Sequence, residues 1–320
     1  MRIECHVHSL SVCLVLLMLF GSLSVLFTNV VIADNQSVDF SYQTINGGTQ
    51  IEITGYSGSA SELALPSVID NKSVTSIGPS AFFEHDSLTV VVIPDSVVSI
   101  GSNAVNGCRN LNEVDIGYNL TGSNLTSIGD DAFFKCISLV NVSSPSKLSS
   151  IGELAFAYCT SLSSTPLSNS VKLIGDGAFE YCRSLQGIII PDNVTSIEND
   201  TFLMCTSFTN VVISENVTSI HHLAFGNCTS LIRMEFKGNA PQCDPDWVSN
   251  HSAGLTIYYA EGATGFTSPT WQGIPTELIS AYSPSAPILY GPSWTTYIFI
   301  IALLLVVVAV MTILVRRRLL

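Results

Sequence analysis

Basic residues are scarce in this chain. Lysine and arginine number 12 against 25 aspartates and glutamates in 320 residues, and charged residues of both signs make up only 12%. Four of the arginines lie in the end segments, so residues 34–293 hold 24 carboxylates and eight cations, a net of −16. Such a chain repels phosphate backbones, which argues against nucleic acid as a partner. None of the nine cysteines forms the C-x-x-C pair that brings two ligands to one metal. G-x-S-x-G, H-E-x-x-H and phosphate-cradling glycine loops are also missing. The expectation is a protein without catalysis, cofactor or metal.

Long apolar runs occur only at the two ends. Residues 10–27 follow a start containing Arg2 and lead to Val31, Ile32 and Ala33. This order reads as a secretory signal peptide over residues 1–33, with an uncleaved signal anchor as the alternative. Residues 297–315 carry no charge, and Arg316, Arg317 and Arg318 follow directly. As a helix this run spans about 28 Å, close to the apolar thickness of a bilayer. A single transmembrane helix over residues 294–315 is therefore expected, after a proline- and serine-rich spacer at 283–293. The arginines place residues 316–320 in the cytoplasm and the rest outside the cell membrane. A sorting signal exchanged for a lipid or wall anchor has a similar outline.

Between the ends, T-S-I-G followed by A-F, C and L recurs with a period of 23 residues. Its isoleucines are Ile77, Ile100, Ile128, Ile151, Ile174, Ile197 and Ile220, with one interval lengthened to 28. A period in the range of leucine-rich units predicts stacked coils rather than one globular core. Apolar residues such as Leu111, Val114 and Ile116 fall eleven, fourteen and sixteen positions after the isoleucine. The last two alternate with variable positions, as in a strand with one buried face, so each coil should donate one strand to a parallel sheet. The A-F pairs place stacked rings on the opposite wall.

Residues 34–73 read as an N-terminal cap, because Asn46, Gly47 and Gly48 separate two β-prone runs. Residues 65–77 and 116–128 each carry a five-residue insertion in the same connection, which should protrude from one edge. The period breaks after Phe236, and residues 237–282 read as a C-terminal cap.

The pattern V-T-S-I-G-x-x-A-F-x-x-C-x-S-L-x-x-V-x-I-P over residues 74–236 resembles the BspA-type, or Treponema pallidum-type, leucine-rich repeat. Departures are Val105 at the aromatic position, His85 at the cysteine, Thr201 at the alanine and Ser144 in the strand. The resemblance implies a curved solenoid at the cell surface, and adhesion is linked to some members. It implies no ligand, because scaffold residues are what the family shares. The expected fold is an α/β repeat solenoid: seven repeats in a right-handed leucine-rich-repeat superhelix with a parallel β-sheet face, β-rich caps and one C-terminal transmembrane helix.

Cys108, Cys136, Cys159, Cys182, Cys205 and Cys228 share one repeat position and read as a buried column of small apolar thiols. Ten N-x-Ser/Thr sequons follow the leader. Asn35, Asn71, Asn124 and Asn250 are the glycosylation candidates, lying in caps or insertions. Asn119, Asn193, Asn216 and Asn239 instead occupy the position where leucine-rich repeats bury an amide ladder. His221 and His222 point to opposite sides of an extended segment, which argues against a shared metal ion. The candidate ligand-binding residues are the solvent-facing strand positions Val90, Val92, Glu113, Asp115, Asn141, Ser143, Ile189, Asn210, Val212, Arg233 and Glu235. Their mixture of apolar, hydroxyl and acidic groups suits an extracellular protein or glycan partner. The leading expectation is non-catalytic binding or adhesion at the cell surface; a laterally assembling envelope component is the alternative.

Overall fold

A computed structural model describes residues 31–32, 39–117 and 122–279. The N-terminal part comprises β1 (Val31–Ile32), β2 (Phe40–Ile45), β3 (Gln50–Tyr56), β4 (Glu62–Ala64), β5 (Val68–Ile69) and β6 (Lys72–Ile77). The middle holds β7 (Val90–Ile93), β8 (Ser99–Ile100), β9 (Glu113–Ile116), β10 (Ser127–Ile128), β11 (Asn141–Val142), β12 (Ser150–Ile151) and β13 (Leu173–Ile174). Then come β14 (Gly187–Ile189), β15 (Ser196–Ile197), β16 (Asn210–Ile213), β17 (Ser219–Ile220) and β18 (Arg233–Phe236). β19 (Gln242–Cys243), β20 (Thr256–Ala260), β21 (Thr270–Trp271) and β22 (Ile274–Ile279) complete the set.

Each coil has three sides. The longer strands form one side as two parallel arrays, β1-β4-β7-β9-β11 and β14-β16-β18-β20-β22, the second closed by antiparallel β21. The strands ending on the repeat isoleucine form another, β13-β12-β10-β8-β6, continued by the cap strands β3 and β2, and a second, short array is β15-β17-β19. Register advances by one repeat per strand, with Ile128 beside Ile151 and Val211 beside Met234. At the N-terminal end β2 and β3 form an antiparallel hairpin around Asn46, Gly47 and Gly48, and β3 joins the first repeat through β6. The insertion before Ile77 holds β5, which folds back antiparallel on β6.

The third side overturns the expected α/β class and its right-handed superhelix, because no α-helix forms among the described residues. The helical hydrogen-bond pattern is replaced by an alternating one. Ala132, Phe134 and Cys136 donate their N–H groups three residues back, to Gly129, Asp131 and Phe133. Asp131, Phe133 and Lys135 donate instead to Glu153, Ala155 and Ala157 of the next coil, at 2.8 to 2.9 Å. This needs a left-handed residue every fourth position, as at Asp131 and Lys135 or Leu154 and Tyr158, and an α-helix cannot run through such residues. The fold class is therefore a β-solenoid.

No helix among the described residues is long and apolar enough to cross a membrane, so the expected transmembrane helix has no counterpart there. Residues 1–30 of the expected leader and all of residues 283–320 lie outside the described residues.

The core is a continuous column. Phe133, Phe156, Phe179, Phe202 and Phe225 stack with centroids 5.0 to 5.6 Å apart and planes within 17° of parallel. Val105 interrupts the column, and Phe82 packs against Tyr56 of the cap. At the far end Trp247, Phe236, Phe266 and Trp271 close the core with edge-on and tilted contacts. The glycine after each isoleucine from Ile77 to Ile174 lets neighbouring coils approach at a corner. A Cβ on Gly129 would lie 2.7 Å from the backbone nitrogen of Ser102, and one on Gly175 2.6 Å from that of Glu153.

Candidate interaction faces

The longer strands bring the sequence-selected residues to one side, but they do not form one continuous array. Val90, Val92, Glu113, Asp115, Asn141 and Ser143 belong to the first array, and Ile189, Asn210, Val212, Arg233 and Glu235 to the second. The intervening coil forms no strand there. Its segment reads Ser163, Ser164, Thr165, Pro166, and proline has no N–H to give a ladder. Ser143, one residue past β11, accepts the Ile116 N–H of the preceding coil through its hydroxyl at 2.6 Å.

Within the first array Glu113 and Asp115 are half-buried side by side. Burial pushes the Asp115 carboxyl up, helped by the negative charge of Asp95. Glu113 is raised by burial and then by Asp115. Glu113 and Asp115 thus share one surface, which favours a partner that brings positive charge or hydrogen-bond donors. Val92 and Val212 are 7% and 8% exposed, so neighbouring strands already cover them. Glu235 is also spent internally. It is 3% exposed, paired with Lys237 and with Arg233 at 3.3 Å, while the Arg233 guanidinium lies over the Tyr258 ring at 3.7 Å. Ile189, 39% exposed, remains available.

The cysteine column lies inside the wall, with all six thiols free and buried. Each donates to a carbonyl of the preceding coil, Cys136 to Val105 at 3.1 Å and Cys205 to Phe179 at 3.3 Å among them. Burial raises Cys108 and Cys228 to about 12, so these thiols stay neutral. Among the described residues no group of three acidic, histidine or cysteine side chains is placed to hold a metal. The two histidines meet separate acids: His221 lies between Asp244 at 3.6 Å and Glu198 at 4.0 Å, and His222 contacts Asp246 at 2.8 Å.

Asn71, Asn124 and Asn250 are exposed, and Asn35 lies outside the described residues. Asn124 accepts from Lys147 at 2.6 Å, and Asn250 donates to Asn227 at 2.7 Å. The expected buried amide ladder is corrected. Asn193 and Asn216 are exposed and donate to the Asn169 and Asp192 carbonyls of the preceding coil, Asn239 is exposed as well, and Asn119 lies outside the described residues.

Two surface features escaped the sequence reading. One is a shallow cleft of about 490 Å³ beside β17 and β19, lined by Glu215, Thr218, Ser219, Asn239 and Gln242 among others. The other is a partly exposed aromatic row on the turn side: Phe134, Tyr158 and Tyr181. The available signal was apolar character at outward repeat positions that are polar in other coils, such as Glu84 and Asn227.

Comparison with known proteins agrees with this geometry. The family model for the BspA type leucine rich repeat region matches residues 58–124 and 126–252, in six copies. The chain belongs to the BspA-type leucine-rich repeat family. The leucine-rich repeat protein of Treponema pallidum is 32% identical, with a TM-score of 0.56 over 61% of this chain and 89% of that one. A leucine-rich cell surface protein of Faecalibacterium prausnitzii is 28% identical, with a TM-score of 0.50 over 69% of this chain but only 53% of that one. A search of curated proteins found no match.

Proposed function

We propose that this chain is a non-catalytic binding scaffold exposed outside the cytoplasm, whose longer-strand side holds a partner protein. The observation that carries the reading is the half-buried pair Glu113 and Asp115 on a rigid parallel array. Desolvated like charges on an outer face cost stability in the free protein, and a cationic partner would relieve that cost. The apolar start at residues 10–27 and the likeness to a cell surface protein support the extracytoplasmic setting. Adhesion is the role such a scaffold would serve.

Reversing the charge of both Glu113 and Asp115 tests the face. Capture of partners from cell-surface extracts should fall while the far-ultraviolet spectrum stays unchanged. Equal capture by the variant would remove this face from consideration. A glycan is the second reading, favoured by the cleft whose Thr218, Ser219, Asn239 and Gln242 offer hydroxyl and amide groups to sugar hydroxyls. A glycan array probed with the protein and with Gln242→Ala distinguishes the two. Sedimentation of the same protein tests lateral self-assembly, which predicts a concentration-dependent shift.

A further inference from the structure

The turn side of the solenoid carries apolar side chains that its own core does not need. In flanking coils the left-handed turn positions are Ser80 and Glu84, Asn103 and Gly107, or Asp131 and Lys135. In the coils from Ile151 to Ile220, five of the eight such positions hold Leu154, Tyr158, Tyr181, Met204 and Leu223, and the other three hold Gly177, Asp200 and Asn227. All five are partly exposed, whereas the adjoining Phe156, Phe179, Phe202 and Phe225 are fully buried. A left-handed conformation disfavours a branched or bulky side chain, so the scaffold alone gives no reason to place leucine and tyrosine there.

The row is ordered before anything binds. Tyr158 and Tyr181 stack at 4.5 Å with planes 9° apart, Phe134 meets Tyr158 edge-on at 5.5 Å, and the Arg183 guanidinium lies 5.1 Å from the Tyr181 ring centre. Side chains held in this way lose little further freedom on association. Tyrosine, methionine and arginine are also the residue types enriched where protein interfaces bury most.

The surroundings decide what kind of partner fits. Residues 129–135, 152–158, 175–181 and 198–204, the turn segments of the four coils, contain seven carboxylates and one cation, Lys135. Inter-coil hydrogen bonds align them, Asp131 with Glu153 and Leu154 with Asp176, so the acids run beside the apolar row. Glu180 is raised by burial and then by the charge of Asp200, which places these two acids in one field. An acidic border around an apolar row is complementary to a basic, apolar-tipped segment.

We propose that this turn side is a docking surface for a basic protein segment whose apolar side chains seat along Leu154, Tyr158, Tyr181 and Met204. It is a different side of the solenoid from the Glu113 and Asp115 face, and each stands without the other.

The test measures binding of a labelled leucine/lysine peptide to the full chain by fluorescence anisotropy, beside a serine/lysine peptide of equal charge. The leucine/lysine peptide should bind at least about tenfold more tightly, and Tyr158→Ser with Tyr181→Ser should remove that difference. Both substitutions place a polar residue where other coils already have one, so folding should persist. Should they unfold the protein, Glu153→Lys with Asp176→Lys serves instead and should weaken the leucine/lysine peptide by about tenfold or more. Equal binding of the two peptides, an undiminished preference in the tyrosine variant, or loss of the preference on reversing Glu113 and Asp115 would overturn the proposal.

Discussion

The thiol of Cys182 donates to the main-chain carbonyl oxygen of Phe156, one coil earlier, at 3.2 Å. The same contact recurs from Cys108 to Cys228, so the cysteine position supplies a small donor that fits between the phenylalanine column and the wall. Burial holds the pKa of each thiol up, and the neutral form is a poor nucleophile. Iodoacetamide at pH 8 should therefore leave all six unmodified in the folded protein and label them in guanidinium. Peptide mass mapping reads the outcome, and rapid native labelling of Cys159 or Cys182 would contradict it.

Phe179 is stacked between Phe156 at 5.5 Å and Phe202 at 5.6 Å and is fully buried. Phe179→Ala should cost about 3–5 kcal/mol in guanidinium unfolding, since the cavity is walled by coils that cannot close independently. Phe83, 47% exposed in the first coil, should lose less than about 0.5 kcal/mol on replacement by alanine.

At the corner after Ile151 the limit is space. A Cβ on Gly152 would fall 2.5 Å from the Asp130 backbone nitrogen, which can move only if a whole coil shifts. Gly152→Ala is expected to lower stability by about 1–3 kcal/mol. Gly254→Ala, whose nearest neighbour would be 3.7 Å away, should change it by less than about 0.5 kcal/mol. Thermal melts of the two variants give the comparison.

The carboxyl of Asp115 is raised in the folded protein, so the folded state holds its proton to higher pH than the unfolded chain does. Its contribution is most favourable below the ordinary carboxylate range of about 4 and is lost as pH rises through the raised value. Asp115→Asn should consequently melt higher than the parent at pH 7, and the gap should close as pH falls below about 4. A variant melting lower at pH 7 would mean that Asp115 is stabilising in its charged form.

Much of the core was legible because it repeats. The isoleucine and phenylalanine columns follow from a period that leaves each coil the same apolar positions, and burial confirms Ile77, Ile128, Phe133 and Phe179. The turn side was not legible in the same way. A-F-x-x-C has the three-to-four spacing of a helix face, and only the backbone shows that Asp131 and Lys135 adopt left-handed angles. The division of the strand side was partly visible in Pro145 and Pro166, yet the sequence pattern alone left Val92, Val212 and Glu235 looking exposed. Burial of those three depends on lateral neighbours a full period away.

At the corner after the isoleucine a coil donates its hydrogen bond backward, as Gly152 does to Ile128, while on the turn side it donates forward, as Phe133 does to Ala155. A coil removed whole would leave donors and acceptors facing one another in the same register. Chain length is thus adjustable in steps of one 23-residue period, and a gene altered by such steps would lengthen or shorten the molecule while its two caps kept their seats.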